Sequence, residues 1–470
     1  MTLIDVSHKP LSRARSPADI WERLGNFLLG HQQAIRRIQW GVVVFYVSLL
    51  TLPVFLPLPD RTAFLWNNLT RFAQMVFWGV WWPFVLVSTM LVGRMWCGLL
   101  CPEGFLSELA SSKGRGHALP RWVQWQGWPA LAFAGTTVFG QLVSVYQYPK
   151  PAALILGGST VAAIAIGYLY GRNKRVWCRY VCPVSGVFGL LAKLAPLHFE
   201  VSAPRWKASQ ARGEKPQAVN CAPMVALRTM NGNSACHMCG RCSGFRGAIK
   251  LARRSPSHDI VHLAGTRPAP FETVLIIFGL MGLATAAFHW SSSPWFLALR
   301  QQSAEWMIAR GITWPLEATL PWWLLTNYPE RNDVMTPLDG ITLVVFVGAF
   351  TLIAGGAISA LVAMAARLLG PWQMQRFHHL AQTLIPVAAA GLFLGLLSLP
   401  LEQLRTDGIA VPFVFPFRAF VVALATIWTT LLAWRVSGLY AIHGVRRASS
   451  VCLILLASLS CDAATLGLLI

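Results

Sequence analysis

Long apolar runs, separated by shorter polar and basic stretches, organise this chain. An α-helix crosses the hydrocarbon core of a bilayer in about 20 residues. Runs of that order are read at about 39–56, 73–92 and 122–145, with a fourth ending at 171. Others follow at 271–290, 341–369, 380–399, 412–434 and 450–470. This pattern predicts a polytopic α-helical membrane protein of eight or nine transmembrane helices, the last run being the weakest in pattern. Residues 184–270 carry no such run and form the one extramembrane domain. Four regions are therefore expected: a basic arm over 1–37, a four-span module over 38–183, the polar domain over 184–270, and a membrane module of four or five spans over 271–470.

Composition agrees, since 55% of the 470 residues are hydrophobic and only 12% charged. A formal charge of +21 would suit a nucleic-acid binder, but the basic residues crowd alternate loops, as topology alone requires of cytoplasmic segments. No nucleic-acid partner is expected. The arm (Lys9, Arg13, Arg15, Arg23, Arg36, Arg37) and the 184–270 domain are read as cytoplasmic, in a multi-pass protein of the bacterial inner membrane with lipid around it. The arm has no apolar core followed by small residues, so no cleaved signal peptide is expected. Between 291 and 339, Trp295, Trp306, Trp314, Trp322 and Trp323 read as an interfacial belt on the outer side, with partner docking as the second reading.

Candidate chemistry enters with the cysteines. Arg94, Trp96, Cys97, Cys101 and Pro102 recur at the same offsets as Arg175, Trp177, Cys178, Cys182 and Pro183, each set closing an apolar run. Cysteines four apart share one side of a helical turn, so two copies side by side offer four thiolates, the number that holds one iron–sulfur cubane. Structural thiols or another metal are the alternatives. Arg94 and Arg175 read first as membrane anchors; the alternative is positive charge placed near an anionic cluster. In the polar domain, Cys236, Cys239 and Cys242 step by three around a second candidate cluster, with Cys221 the nearest fourth ligand. Zinc is the alternative there, while Gly240 after Cys239 excludes a c-type haem motif. Cytoplasmic placement disfavours disulfides. Cys452 and Cys461, in the last run, read as small buried hydrophobes.

These motifs resemble the membrane-bound polyferredoxin-like proteins of the NapH and NosR type and the related CcoG proteins, over about residues 70–255. The resemblance implies a small ferredoxin-like iron–sulfur domain beside the spans and iron–sulfur electron transfer at the membrane, often between the quinone pool or a cytoplasmic donor and a partner redox enzyme. The chain departs from that pattern: Cys242 is followed by Ser-Gly-Phe-Arg, with no further cysteine before Cys452. The polar domain is thus reduced to one cluster, which without Cys221 would be a three-iron form or would borrow a thiolate from the twin repeat. No threonine motif for covalent flavin is present, and residues from 271 onward carry no resemblance.

The expected protein is an electron carrier with two [4Fe–4S] clusters, one on Cys97, Cys101, Cys178 and Cys182 and one on Cys221, Cys236, Cys239 and Cys242. It would act as a quinol-dehydrogenase-type electron-transfer subunit with a redox partner protein. The alternative is a metal-centre assembly or metal-reducing maturation factor for a respiratory complex; a transporter or sensor with attached clusters is a third reading. Arg241, Arg246, Lys250, Arg253 and Arg254 would face an acidic donor or anionic lipid, unless they serve only the topological charge bias. His378, His379 and His443 are weighed as haem ligands against interfacial polar groups, and His289 with Trp290 as a quinone pocket.

Overall fold

The computed structural model describes residues 19–60, 62–441 and 444–466. Lys9, Arg13, Arg15 and His443 lie outside them. Among the described residues, eight helices are long and apolar enough to cross a membrane. They are Gln32–Phe55, Leu69–Val92, Pro149–Tyr170, Pro270–Ser292, Pro337–Leu368, Ile385–Thr406, Val414–Ser437 and Gly444–Thr465. Local chemistry sets several starts. Asn68 accepts the Thr70 and Arg71 amides ahead of Leu69, and Thr336 and Asp339 form a capping box ahead of Pro337. The run expected at 380–399 is instead two helices, Met374–Gln382 and Ile385–Thr406, with Pro386 opening the second.

The run at 122–145 yields turns followed by a 15-residue helix, Trp128–Leu142, with Pro129 in its first turn. At 1.5 Å per residue it spans roughly 22 Å, short of a hydrocarbon core of about 30 Å. It is nevertheless the return leg. The spans Leu69–Val92 and Pro149–Tyr170 both run into cysteine repeats that line one cavity, so the chain between them must go back to the far end.

The two halves of the membrane region share one apolar core, in which Val85 and Leu190 pack with Leu280, Val362, Leu384 and Ile454. Outward-facing Val44, Phe84, Leu352, Ile353, Phe420 and Leu431 leave apolar side chains for lipid. The helix Pro294–Ile308 carries exposed Trp295 and Trp306, as an interfacial element would.

The segment between the halves builds a small domain on two antiparallel strands, β1 (Leu197–Val201) and β2 (Ile249–Arg253). Phe199 pairs with Leu251, and alternate residues bury Leu197, Phe199, Ile249 and Leu251 against Trp206, Met230, Met238, Cys236 and Cys242. The cysteine loops therefore lie on the domain's own core.

Candidate iron–sulfur site

Each repeat folds as a short helix followed by a turn. Met95–Leu99 carries Cys97 and Val176–Tyr180 carries Cys178, and the chain then bends at Cys101–Pro102 and Cys182–Pro183. Pro102 opens the helix Pro102–Ser112, whose first turn needs no proline amide, and the Gly104 amide donates to Cys101 Sγ at 3.4 Å. This helix packs on Pro149–Tyr170 where Gly167 removes a side chain that would overlap the Ser107 carbonyl. Cys97, Cys101, Cys178 and Cys182 thereby line a single cavity of about 200 Å³.

The matching offsets of the two arginines in the repeat acquire a physical reason. Arg175 donates to the carbonyl of Cys97 in the other repeat, and its Nε reaches Glu108 Oε2 at 2.7 Å. Arg94 donates to Ser185 Oγ at 2.9 Å, and Ser185 in turn donates to the carbonyl of Cys178 at 2.7 Å. Each arginine thus braces the first cysteine of the opposite copy. With exposures of 5% for Arg94 and 1% for Arg175, neither is a membrane anchor in contact with solvent.

Burial pushes the thiols up, Cys178 to about 12 and Cys101 and Cys182 well above their ordinary range. Glu103, also on the cavity wall, is raised by burial against hydrogen bonds from Ser159 and Trp177. Beyond the thiols the cavity is walled by Tyr46, Trp78, Trp81, Trp82, Tyr146 and Phe288. Two of its helices widen into π turns along it, at Met75–Trp81 and Ala153–Gly157, a departure often found at functional sites.

The second group converges as well. Cys221, Cys236, Cys239 and Cys242 line one cavity of about 20 Å³ with His237. The left-handed φ of 53° at Met238 and 78° at Gly240 bends the loop, and amides of Met238 and Val225 donate to Cys236 Sγ and Cys221 Sγ, both at 3.4 Å. Burial raises Cys236 to about 12 and pushes Cys242 higher. The two groups touch: a side chain at Gly98 would overlap the His237 carbonyl and meet Cys239 Cβ at 3.1 Å.

Among the described residues no three His, Cys, Asp or Glu side chains close on a single ion. A cubane takes one iron per thiolate from four cysteines, the number that each group offers. Buried thiols, amide donors at sulfur and guanidinium groups behind them are the donor set and compensating charge that an anionic iron–sulfur cluster requires.

The histidines differ in how far they are engaged, His379 at both ring nitrogens and His378 and His289 at Nδ1. His379 uses both ring nitrogens, toward Tyr440 Oη and the Ile260 carbonyl, each at 2.7 Å, and so offers neither to haem iron. His378 Nδ1 pairs with Thr273 Oγ1 at 2.8 Å. His289 Nδ1 pairs with the Thr285 carbonyl at 2.8 Å, and Trp290 Nε1 donates to Gln141 at 3.0 Å; neither residue is on the wall of the cavity beside the repeat. Sequence reasoning also passed over Gln32, Gln39, Glu103 and Glu108. Their signal was polarity beside apolar runs, which Gln39 and Glu103 share with ordinary span ends.

Fold and site together define a multi-pass helical membrane protein with an iron–sulfur binding domain. The family described as a 4Fe-4S binding domain matches residues 74–119 and 154–202, the two segments that hold the twin repeat. The Cys221–Cys242 group lies outside both matched segments. The chain is also similar to the "Putative electron transport protein YccM" of Escherichia coli (strain K12), 23% identical over 234 residues. That alignment covers 44% of this chain and 65% of the relative's length. No solved structure matches the chain.

Proposed function

We propose that this protein is an inner-membrane iron–sulfur electron carrier that passes electrons from a quinol or a cytoplasmic donor to a partner redox enzyme. Cys97, Cys101, Cys178 and Cys182 would hold one [4Fe–4S] cluster, and Cys221, Cys236, Cys239 and Cys242 a second. Such clusters supply one-electron transfer, while the protein supplies ligands, burial and charge. The placement of basic residues supports a cytoplasmic side for the N-terminus and the second group. The similarity to a protein named for electron transport points the same way.

The observation that carries the reading is the juxtaposition of two four-thiol groups in backbone contact, the first opening on an apolar, aromatic-walled cavity between spans. Of the two donors, the cavity favours the quinol, since an apolar ring and tail would enter it from the membrane and stop beside the thiols. Glu103, Ser159 and Tyr46 are among the polar groups on its wall that could orient a quinol hydroxyl. The test is reduction of anaerobically purified protein by a short-chain quinol, followed by bleaching of the visible iron–sulfur absorbance. Leu156→Trp, which fills the cavity, should slow quinol reduction at least tenfold, about 1.4 kcal/mol in the barrier, and leave dithionite reduction unchanged. Equal rates with quinol would remove the cavity from the route.

A further inference from the structure

The contact between the two cysteine groups is braced by side chains that belong to neither. Glu108, 17% exposed, accepts Arg175 Nε at 2.7 Å on one carboxylate oxygen and Arg241 Nη1 at 2.5 Å on the other. Arg175 lies three residues before Cys178 and reaches the Cys97 carbonyl, whereas Arg241 lies between Cys239 and Cys242. One carboxylate therefore ties the twin repeat to the small domain. Two guanidinium groups on one carboxylate also leave net positive charge between two thiolate groups, which offsets their mutual repulsion. Burial alone would raise the Glu108 carboxyl; Arg175 and Arg241 outweigh it and hold it below the usual carboxylate range.

The first span supplies the second brace. Gln39 Nε2 donates to the Gly98 carbonyl at 3.2 Å, beside Cys97. Gln32 Nε2 donates to the Cys239 carbonyl at 3.1 Å, and Gln32 Oε1 accepts Arg241 Nε at 3.2 Å. Seven residues is close to two helical turns, so both glutamines lie on one helix face, roughly 10 Å apart along it. That face measures the step from one cysteine loop to the other. The polar groups are placed where a helix meant only to meet lipid would carry apolar ones.

We propose that Glu108, with Gln32 and Gln39, forms a positioning latch that fixes the separation of the two cysteine groups. The inference rests on the two-cluster reading above but concerns geometry, not turnover. It is tested on the full chain, purified without oxygen and reduced with dithionite, by electron paramagnetic resonance at low temperature. Two paramagnetic clusters in contact broaden each other's signals. Glu108→Gln should keep the iron and sulfide content of the wild type and lose that broadening; Glu108→Asp should restore part of it. Gln39→Leu, which leaves the carboxylate network intact, should act in the same direction and decides the matter where Glu108→Gln fails to fold. Broadening unchanged in both variants, or absent from an iron-loaded wild type, overturns the latch. A wild type without iron would instead overturn the cluster reading on which the latch depends.

Discussion

Arg175 shows how much a single side chain is asked to do. It is buried, carries a full charge, serves two acceptors, the Cys97 carbonyl and Glu108, and lies three residues before Cys178 in its own repeat. Burial works against its charged form, and the Glu108 carboxylate together with the charges of Cys178 and Cys239 more than compensates. Removing one partner of such a pair costs about 3–5 kcal/mol, because the other charge is left buried and alone. Arg175→Gln is therefore expected to lower the thermal midpoint sharply and to reduce iron bound at the twin repeat, with Arg175→Lys intermediate because ammonium lacks the fork. A thermal scan with iron analysis reads both effects. A pH effect belongs to another residue, His198 on β1. Burial and the Arg254 guanidinium push it from 6.5 down to about 4. The unfolded chain then takes up the proton first, so this contribution to stability is whole above pH 6.5 and is lost as pH falls toward 4. His198→Gln should flatten that decline in thermal midpoint; an unaltered slope would contradict the assignment.

At the scale of elements, the close meeting of Met95–Leu99 with the Cys236–Cys242 loop depends on Gly98. A methyl group there meets backbone rather than a movable side chain, so Gly98→Ala should destabilise by about 1–3 kcal/mol and raise protease sensitivity in the Cys236–Cys242 loop. Cleavage there at the wild-type rate would show that the contact is loose. The spans themselves were largely legible, because hydropathy reports what must leave water regardless of partners. Trp128–Leu142 was read too long because tryptophans at 122 and 125 count as apolar while sitting in turns before Gly127 and Pro129. The twin repeat was legible as a motif and the triplet as a loop, yet their contact was not, since it joins residues about 140 apart in the chain, such as Arg94 and Ser234. Gln32 and Glu108 gain meaning only from that contact. The partners of the histidine pair were hidden for the same reason: imidazoles at a helix entrance look available until the fold brings Tyr440 and the Ile260 carbonyl to His379 and Thr273 to His378.

In the whole molecule two four-thiol groups stand in series, one facing an apolar cavity within the bundle and the other on the small domain, with the C-terminal spans closing the cavity through Phe288, Leu392 and Leu396. This gives the C-terminal half, silent in sequence, a role as a wall. Whether both groups bind clusters is read most directly from iron and acid-labile sulfide per chain in protein purified without oxygen. Two cubanes give about eight of each. That value, falling by half in Cys178→Ser and by half in Cys236→Ser, is the predicted result. Zinc without sulfide, or iron that neither substitution reduces, would contradict it.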